Sequence, residues 1–289
     1  MSRTLRFESP TPLQYFGSLV AEGAGIALLE AAVSIAQDEY PQLDIQAVLC
    51  DIESLGVKLK GRLPADAPPL QRLRLLNRYF FQELGFAGNV NDYYDRRNSY
   101  LVDVLRTRRG IPITLALLYA ECAAQVGLTA HGVSFPGHFL VKVRMPRGEV
   151  VIDPVNGHSL SREDLDARLA PYRRRHGLVG DFDTPLGLFL QAATPRDMLA
   201  RMLRNLKEIH RSGEDWPRAC AVQRRLVLLL PLAWDERRDL ALMRAELGDW
   251  AEAADDLALY LEHCPDSQDT AVLRQRLGEI RQAASRRFH

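Results

Sequence analysis

Residues 108–128 read RRGIPITLALLYAECAAQVGL, and residues 134–157 read SFPGHFLVKVRMPRGEVVIDPVNG. Gly110 and Pro112 stand where a helix should begin, since the first turn has no intrahelical partner for the N–H that proline lacks. Ile113, Ala116, Leu117 and Ala120 then recur at helical spacing until Gly127 ends the run. A short β run, Ala130 to Phe135, comes next. Two alternating runs follow, His138 to Arg144 and Glu149 to Asp153. The turn chemistry of Met145-Pro146-Arg147-Gly148 predicts that they form a hairpin.

Register then decides which side chains meet. If Arg144 opposes Glu149, Asp153 falls opposite Leu140, and His138 shares Leu140's face. His138 and Asp153 become diagonal neighbours about 7–8 Å apart, within reach of a side-chain hydrogen bond. A slip of one residue would send them to opposite faces. A helix tip, a His strand and an Asp strand, in that order, are the parts of a papain-like or transglutaminase-like nucleophile site.

Gly110 to Leu118, Pro136-Gly137-His138-Phe139-Leu140 and Ile152-Asp153-Pro154 resemble the bacterial SirB-type family. Tyr94-Asp95-Arg96-Arg97-Asn98-Ser99-Tyr100-Leu101 is similar to that family's DPRNSYL signature, with Arg96 in place of the proline. The resemblance runs from about Gly85 to Asp269. It implies a transglutaminase-like core followed by tetratricopeptide repeats, with His138 and Asp153 where the superfamily keeps its catalytic His and Asp.

One part of that pattern is absent. The superfamily's enzymes carry a Cys in the first turn of the helix. That position falls near Pro112, and residues 108–121 contain no Cys. Cys122 lies eight residues beyond Thr114, about 12 Å farther along a helix axis. Thr114 is the remaining nucleophile-capable side chain near the tip, and a hydroxyl needs strong activation by a base. Its alternative role is a first-turn hydroxyl that caps the helix.

The chain has 289 residues with 37 basic and 37 acidic side chains, so no global charge draws it to nucleic acid or an anionic membrane. Cys50, Cys122, Cys220 and Cys264 are scattered, as free thiols of a reducing cytoplasm would be. No metal-ligand spacing and no cofactor motif stands out. The first 19 residues lack a signal-peptide core, and the apolar stretch Gly25 to Ala36 is broken by Glu30 and too short to span a bilayer. A cytoplasmic location is the expectation.

Residues 1–85 read as a helical lead-in packed on the core. Its apolar stripes run over Ile26 to Gln37, Asp44 to Val57, and Leu73, Leu76, Phe80 and Leu84. Gly88 to Tyr100 reads as a loop in which Asn98 and Asp95 hold the turn, or in which Asn98 or Tyr94 contacts a ligand. Gly137 is grouped with these two as a ligand-side residue. Residues 86–185 form the transglutaminase-like core, and Gly177 to Asp183 with Pro185 reads as a linker. Tyr172 to His176 is a basic run on a solvated face.

The C-terminal third, 194–289, repeats itself. Asp215-Trp216 recurs as Asp249-Trp250, Ala219 as Ala253 and Pro231 as Pro265, each 34 residues on, which is the tetratricopeptide period. Lys207 stands where a small residue is usual. Five helices are expected between Pro195 and Ser285: two repeats and a capping helix. They either pack on the N-terminal part or recruit a protein or peptide partner.

The fold expected is α+β: a transglutaminase-like (papain-like) core, a helical lead-in and an all-α repeat pair. The leading functional expectation is a transglutaminase-like domain without its Cys, acting as a non-catalytic binding, adaptor or regulatory protein. The alternative is an amide or ester hydrolase or acyltransferase, with His138 as base, Asp153 as its orienter, and Thr114 or water as nucleophile. Nucleic-acid binding would rest on Arg173 to Arg175 alone.

Overall fold

The helix and the hairpin foreseen around residue 112 form the centre of a computed structural model that describes residues 9–21, 25–178 and 185–286. Pro112 sits in the first turn of helix Pro112–Gln125, which buries nearly every side chain from Pro112 to Tyr119. This core helix is preceded by a two-strand parallel pair, β1 (Ala87–Gly88) with β2 (Arg109–Gly110). It is followed by β3 (Ala130–Val133), β4 (Leu140–Met145), β5 (Gly148–Ile152) and β6 (Ser159–Leu160), which form an antiparallel meander in chain order.

The hairpin register is the one expected, with Arg144 opposite Glu149 and Val141 opposite Ile152. The strands are shorter than the alternation suggests, and His138 lies outside β4. Pro136 and Gly137 occupy the centre of a tight turn: Gly137 has φ +72°, and the His138 N–H donates to the Phe135 carbonyl at 3.0 Å. Proline followed by a residue at positive φ is the signature of a type II turn. His138 is therefore presented by a turn rather than a strand.

Both faces of the sheet are covered. Val133, Leu140 and Val151 cluster with Leu165 and Leu169 of helix Arg162–Arg175. By alternation, the buried Val141, Val143 and Ile152 face the other way, and the core helix packs on β3 and β4. Helix Arg162–Arg175 starts with the expected reciprocal cap, Ser161 with Asp164.

By contacts the chain forms two compact units. The first holds residues 28–36 and 42–202 and contains the sheet. The second holds the described residues before Leu28, residues 37–41 and 203 onward. The three-way division at residues 85 and 185 does not follow this partition, because the lead-in is split. Helix Pro12–Val20 goes with the C-terminal unit, where it packs on helix Trp216–Leu229 with Phe16 fully buried. Sequence inspection treats Pro12 as a break. In the structure it sits at the helix start, behind a Thr11–Gln14 capping box. The stripe over Ile26 to Gln37 resolves into helix Leu28–Ser34 and a 3-10 turn, Ile35–Asp38. Residues 179–184 of the expected linker lie outside the described residues.

Five helices follow among the described residues: Pro195–Ser212, Trp216–Leu229, Trp234–Glu246, Trp250–His263 and Thr270–Arg286. The repeat is visible in the backbone itself. Asp215 and Asp249 have φ/ψ of −83/72° and −83/59°, and Leu230 and Cys264, also 34 residues apart, have −124/66° and −127/59°. Lys207 is a buried cation, with its ammonium 3.0 Å from Glu236 and 2.6 Å from Asp239. Glu236 also accepts from Arg204 and Gln223, and these bonds outweigh the effect of burial and keep its pKa below the ordinary value. Lys207→Ala strands Glu236 with less compensation, and a loss of about 2–4 kcal/mol in urea unfolding is expected.

Candidate functional site

The alternation that turns Val151 toward helix Arg162–Arg175 also carries Asp153, two residues later, to that side. Its carboxylate is 5% exposed and accepts three hydrogen bonds. Oδ1 takes His138 Nε2 at 2.9 Å and the Val155 N–H at 3.1 Å, and Oδ2 takes Arg168 Nη1 at 2.8 Å. Burial alone would raise the Asp153 pKa. The bonds from His138 and Arg168, the nearby imidazole charge and the Val155 amide outweigh it and hold the group at about 2.

The Asp153 turn is tied to the helix tip by the backbone. Val155 accepts from the Gly88 N–H at 3.0 Å, and Gly88 pairs with Gly110, two residues before Pro112. A side chain at Gly88 would place its Cβ 2.5 Å from Val155 Cγ1, so the approach requires glycine.

The His138 imidazole is 26% exposed, and its Nδ1 makes no hydrogen bond among the described residues. With Nε2 committed to Asp153, Nδ1 is the nitrogen left for a ligand. Arg168 shares the carboxylate with His138, its guanidinium occupying the outer oxygen.

The other candidates fall differently. Thr114 is fully buried, and its hydroxyl lies 2.9 Å from the Asn98 carbonyl and 3.0 Å from the Ile111 carbonyl, which share its single proton. Asn98 is buried as well. Its amide donates to the Asp92 and Tyr93 carbonyls and accepts from Asn89 Nδ2, so it holds the loop in shape. Tyr94 is 78% exposed and stacks edge-on against Tyr93. Gly137 is exposed, with open space around its α-carbon. Cys122 is buried on the core helix, and burial pushes its thiol up to about 12, so it is not a ready thiolate. No three His, Cys, Asp or Glu side chains gather as a metal site among the described residues.

Thr114→Ala should cost about 1–2 kcal/mol of stability and leave the His138 ring resonances in place, because the hydroxyl ties loop to helix and does not touch the imidazole. Two-dimensional NMR and urea unfolding on the same sample check both halves.

Arg168 was missed from the sequence. It lies three residues after Leu165 and one before Leu169, beside the buried stripe of its helix, and that spacing could have located it.

A sequence profile described as the transglutaminase-like superfamily matches residues 46–204, and a tetratricopeptide-repeat profile matches residues 206–278. The UPF0162 protein of Xylella fastidiosa (strain 9a5c) is 36% identical over 256 residues, which cover 88% of this chain and 90% of that protein. The chain belongs to the UPF0162 family of the transglutaminase-like superfamily. Another UPF0162 protein, from Pseudomonas aeruginosa, is 31% identical over 265 residues, 91% of this chain and 94% of its own length. UPF0162 protein YchA of Escherichia coli (strain K12) is 26% identical over 257 residues, 88% and 91% of the two chains. The UPF0162 chain thus joins a transglutaminase-like domain to tetratricopeptide repeats, and no described helix is long and apolar enough to cross a membrane.

Proposed function

We propose that this protein is a pseudoenzyme of SirB type: a transglutaminase-like domain that binds a peptide or protein ligand at the His138 side of its core without transforming it. Its repeats contribute a second contact surface. The observation that carries this is Thr114. Thr114, the hydroxyl that the sequence places near the expected nucleophile position, is sealed in the core and bound to two carbonyls, while His138 Nδ1 makes no hydrogen bond among the described residues. Arg168 on Asp153 supports the same reading, because it takes up the carboxylate oxygen that His138 does not. A cytoplasmic location belongs with it, supported by four free cysteines.

A second reading, hydrolysis or acyl transfer with His138 as base and water as nucleophile, is favoured by the intact His138–Asp153 bond. A panel of amide, ester and glutamine-peptide substrates separates the two. No turnover above buffer is expected. Turnover that disappears in both His138→Ala and Asp153→Asn would establish the enzyme.

A further inference from the structure

Several arginines of this chain are neutralised by carboxylates: Arg168 by Asp153, Arg225 by Asp38, Arg237 and Arg244 by Asp256. Arg201, like the half-buried Arg72 and Arg108, has no carboxylate partner among the described residues. Arg201 rises from helix Pro195–Ser212, donates Nη1 to the neutral Ser134 Oγ at 2.9 Å and lies over the Phe139 ring at 5.6 Å. No carboxylate stands within ion-pair distance of it among the described residues. Its partial burial lowers its pKa, as expected for a cation desolvated without an acid beside it.

Its neighbours are those of the candidate site. Ser134 and Phe139 bracket the turn that presents His138. On another side, the Tyr93 phenol is within electrostatic range of the guanidinium, and Tyr93 and Tyr94 stand exposed on the loop ahead of the core helix. The guanidinium thus touches both residues that flank the turn carrying His138, and it has the exposed Tyr93 as an electrostatic neighbour.

We propose that Arg201 anchors a carboxylate of the peptide ligand beside His138. This rests on the binding reading above and specifies the chemistry of the ligand. The guanidinium fork matches a carboxylate in shape and charge, and its contacts with Ser134 and Phe139 hold it in place. The tyrosines offer rigid, amphipathic area for the residue carrying that carboxylate. Arg168 is already neutralised by Asp153, so one uncompensated arginine faces the ligand, which suits one negative charge rather than a phosphate dianion.

The test is an NMR titration of the full chain, following the Arg201 Nε–H signal (assigned by its absence in Arg201→Gln) and the His138 Cε1–H signal at constant ionic strength. The probes are N-acetylglycinate, N-acetylaspartate N-methylamide, N-acetylglycinamide and inorganic phosphate. The two carboxylates should shift the Arg201 signal and saturate in the millimolar range, and the tighter one tells whether a chain terminus or an acidic side chain is the source. The amide should leave it unmoved, and phosphate should bind at least fivefold more weakly. Arg201→Lys keeps the charge but not the fork and should bind several-fold more weakly. No response to carboxylates, an equal response to the amide, or equal binding of phosphate overturns the assignment. Shifts at His138 that are the same in wild type and Arg201→Gln overturn Arg201 and leave the binding reading standing. Silence at both groups overturns both.

Discussion

Asp153→Ala should destabilise the chain by about 3 kcal/mol at pH 7, and the deficit should vanish in acid. The side chain is 5% exposed and accepts two charge-assisted hydrogen bonds and one backbone amide. Removing it orphans the Val155 N–H and leaves His138 and Arg168 to rehydrate at the surface, the setting in which a lost buried partner costs a few kcal/mol. The folded-state pKa, about 2, lies below the ordinary carboxylate value, so the contribution is present in full above pH about 4 and is lost as pH falls through 2. Urea unfolding of wild type and variant should show two curves that are well separated at pH 7, still separated at pH 4 and nearly coincident at pH 2. Parallel curves at all three pH values would mean that the carboxylate is not held by these partners.

Asp38→Ala should cost more than its position in a short 3-10 turn suggests, about 3–5 kcal/mol. Asp38 bonds Arg225, which is 1% exposed; Nη2 reaches Asp38 Oδ1 at 3.1 Å. What remains for the guanidinium after the substitution is the Ala221 carbonyl and the Phe16 ring, so a buried cation loses its counter-charge. Arg225→Met in the Asp38→Ala background should restore part of the loss, because two apolar groups remove the uncompensated charge that one substitution creates. If the single variant unfolds like wild type, residues 37–41 are not anchored to helix Trp216–Leu229.

The site was legible where the pattern was local or periodic. Period-two alternation fixed the register of β4 and β5, and the turn ahead of β4 carries His138 the rest of the way to Asp153. The 34-residue offset fixed the repeats, whose capping positions share backbone angles. What failed was what depends on long-range partners. Pro136-Gly137 diverts the chain before β4 begins, so an apparent strand start became a turn. The lead-in reads as one piece, but Phe16 and Asp38 are claimed by Arg225, far along the chain (187 residues beyond Asp38). The partners of Arg168 and Arg201 were not legible, since a helix pattern gives the face a side chain occupies and not the group it meets. Thr114 was correctly placed near the tip, but the Asn98 carbonyl that occupies its hydroxyl comes from a loop with no periodicity.

Intact-mass spectrometry after exposure to a peptide chloromethyl ketone tests the missing nucleophile most directly. We expect no stoichiometric adduct that depends on the imidazole: any slow alkylation should fall on the exposed Cys50 and proceed equally in wild type and His138→Ala. A single rapid adduct on one residue of the core, abolished in His138→Ala, would contradict a site that binds without reacting.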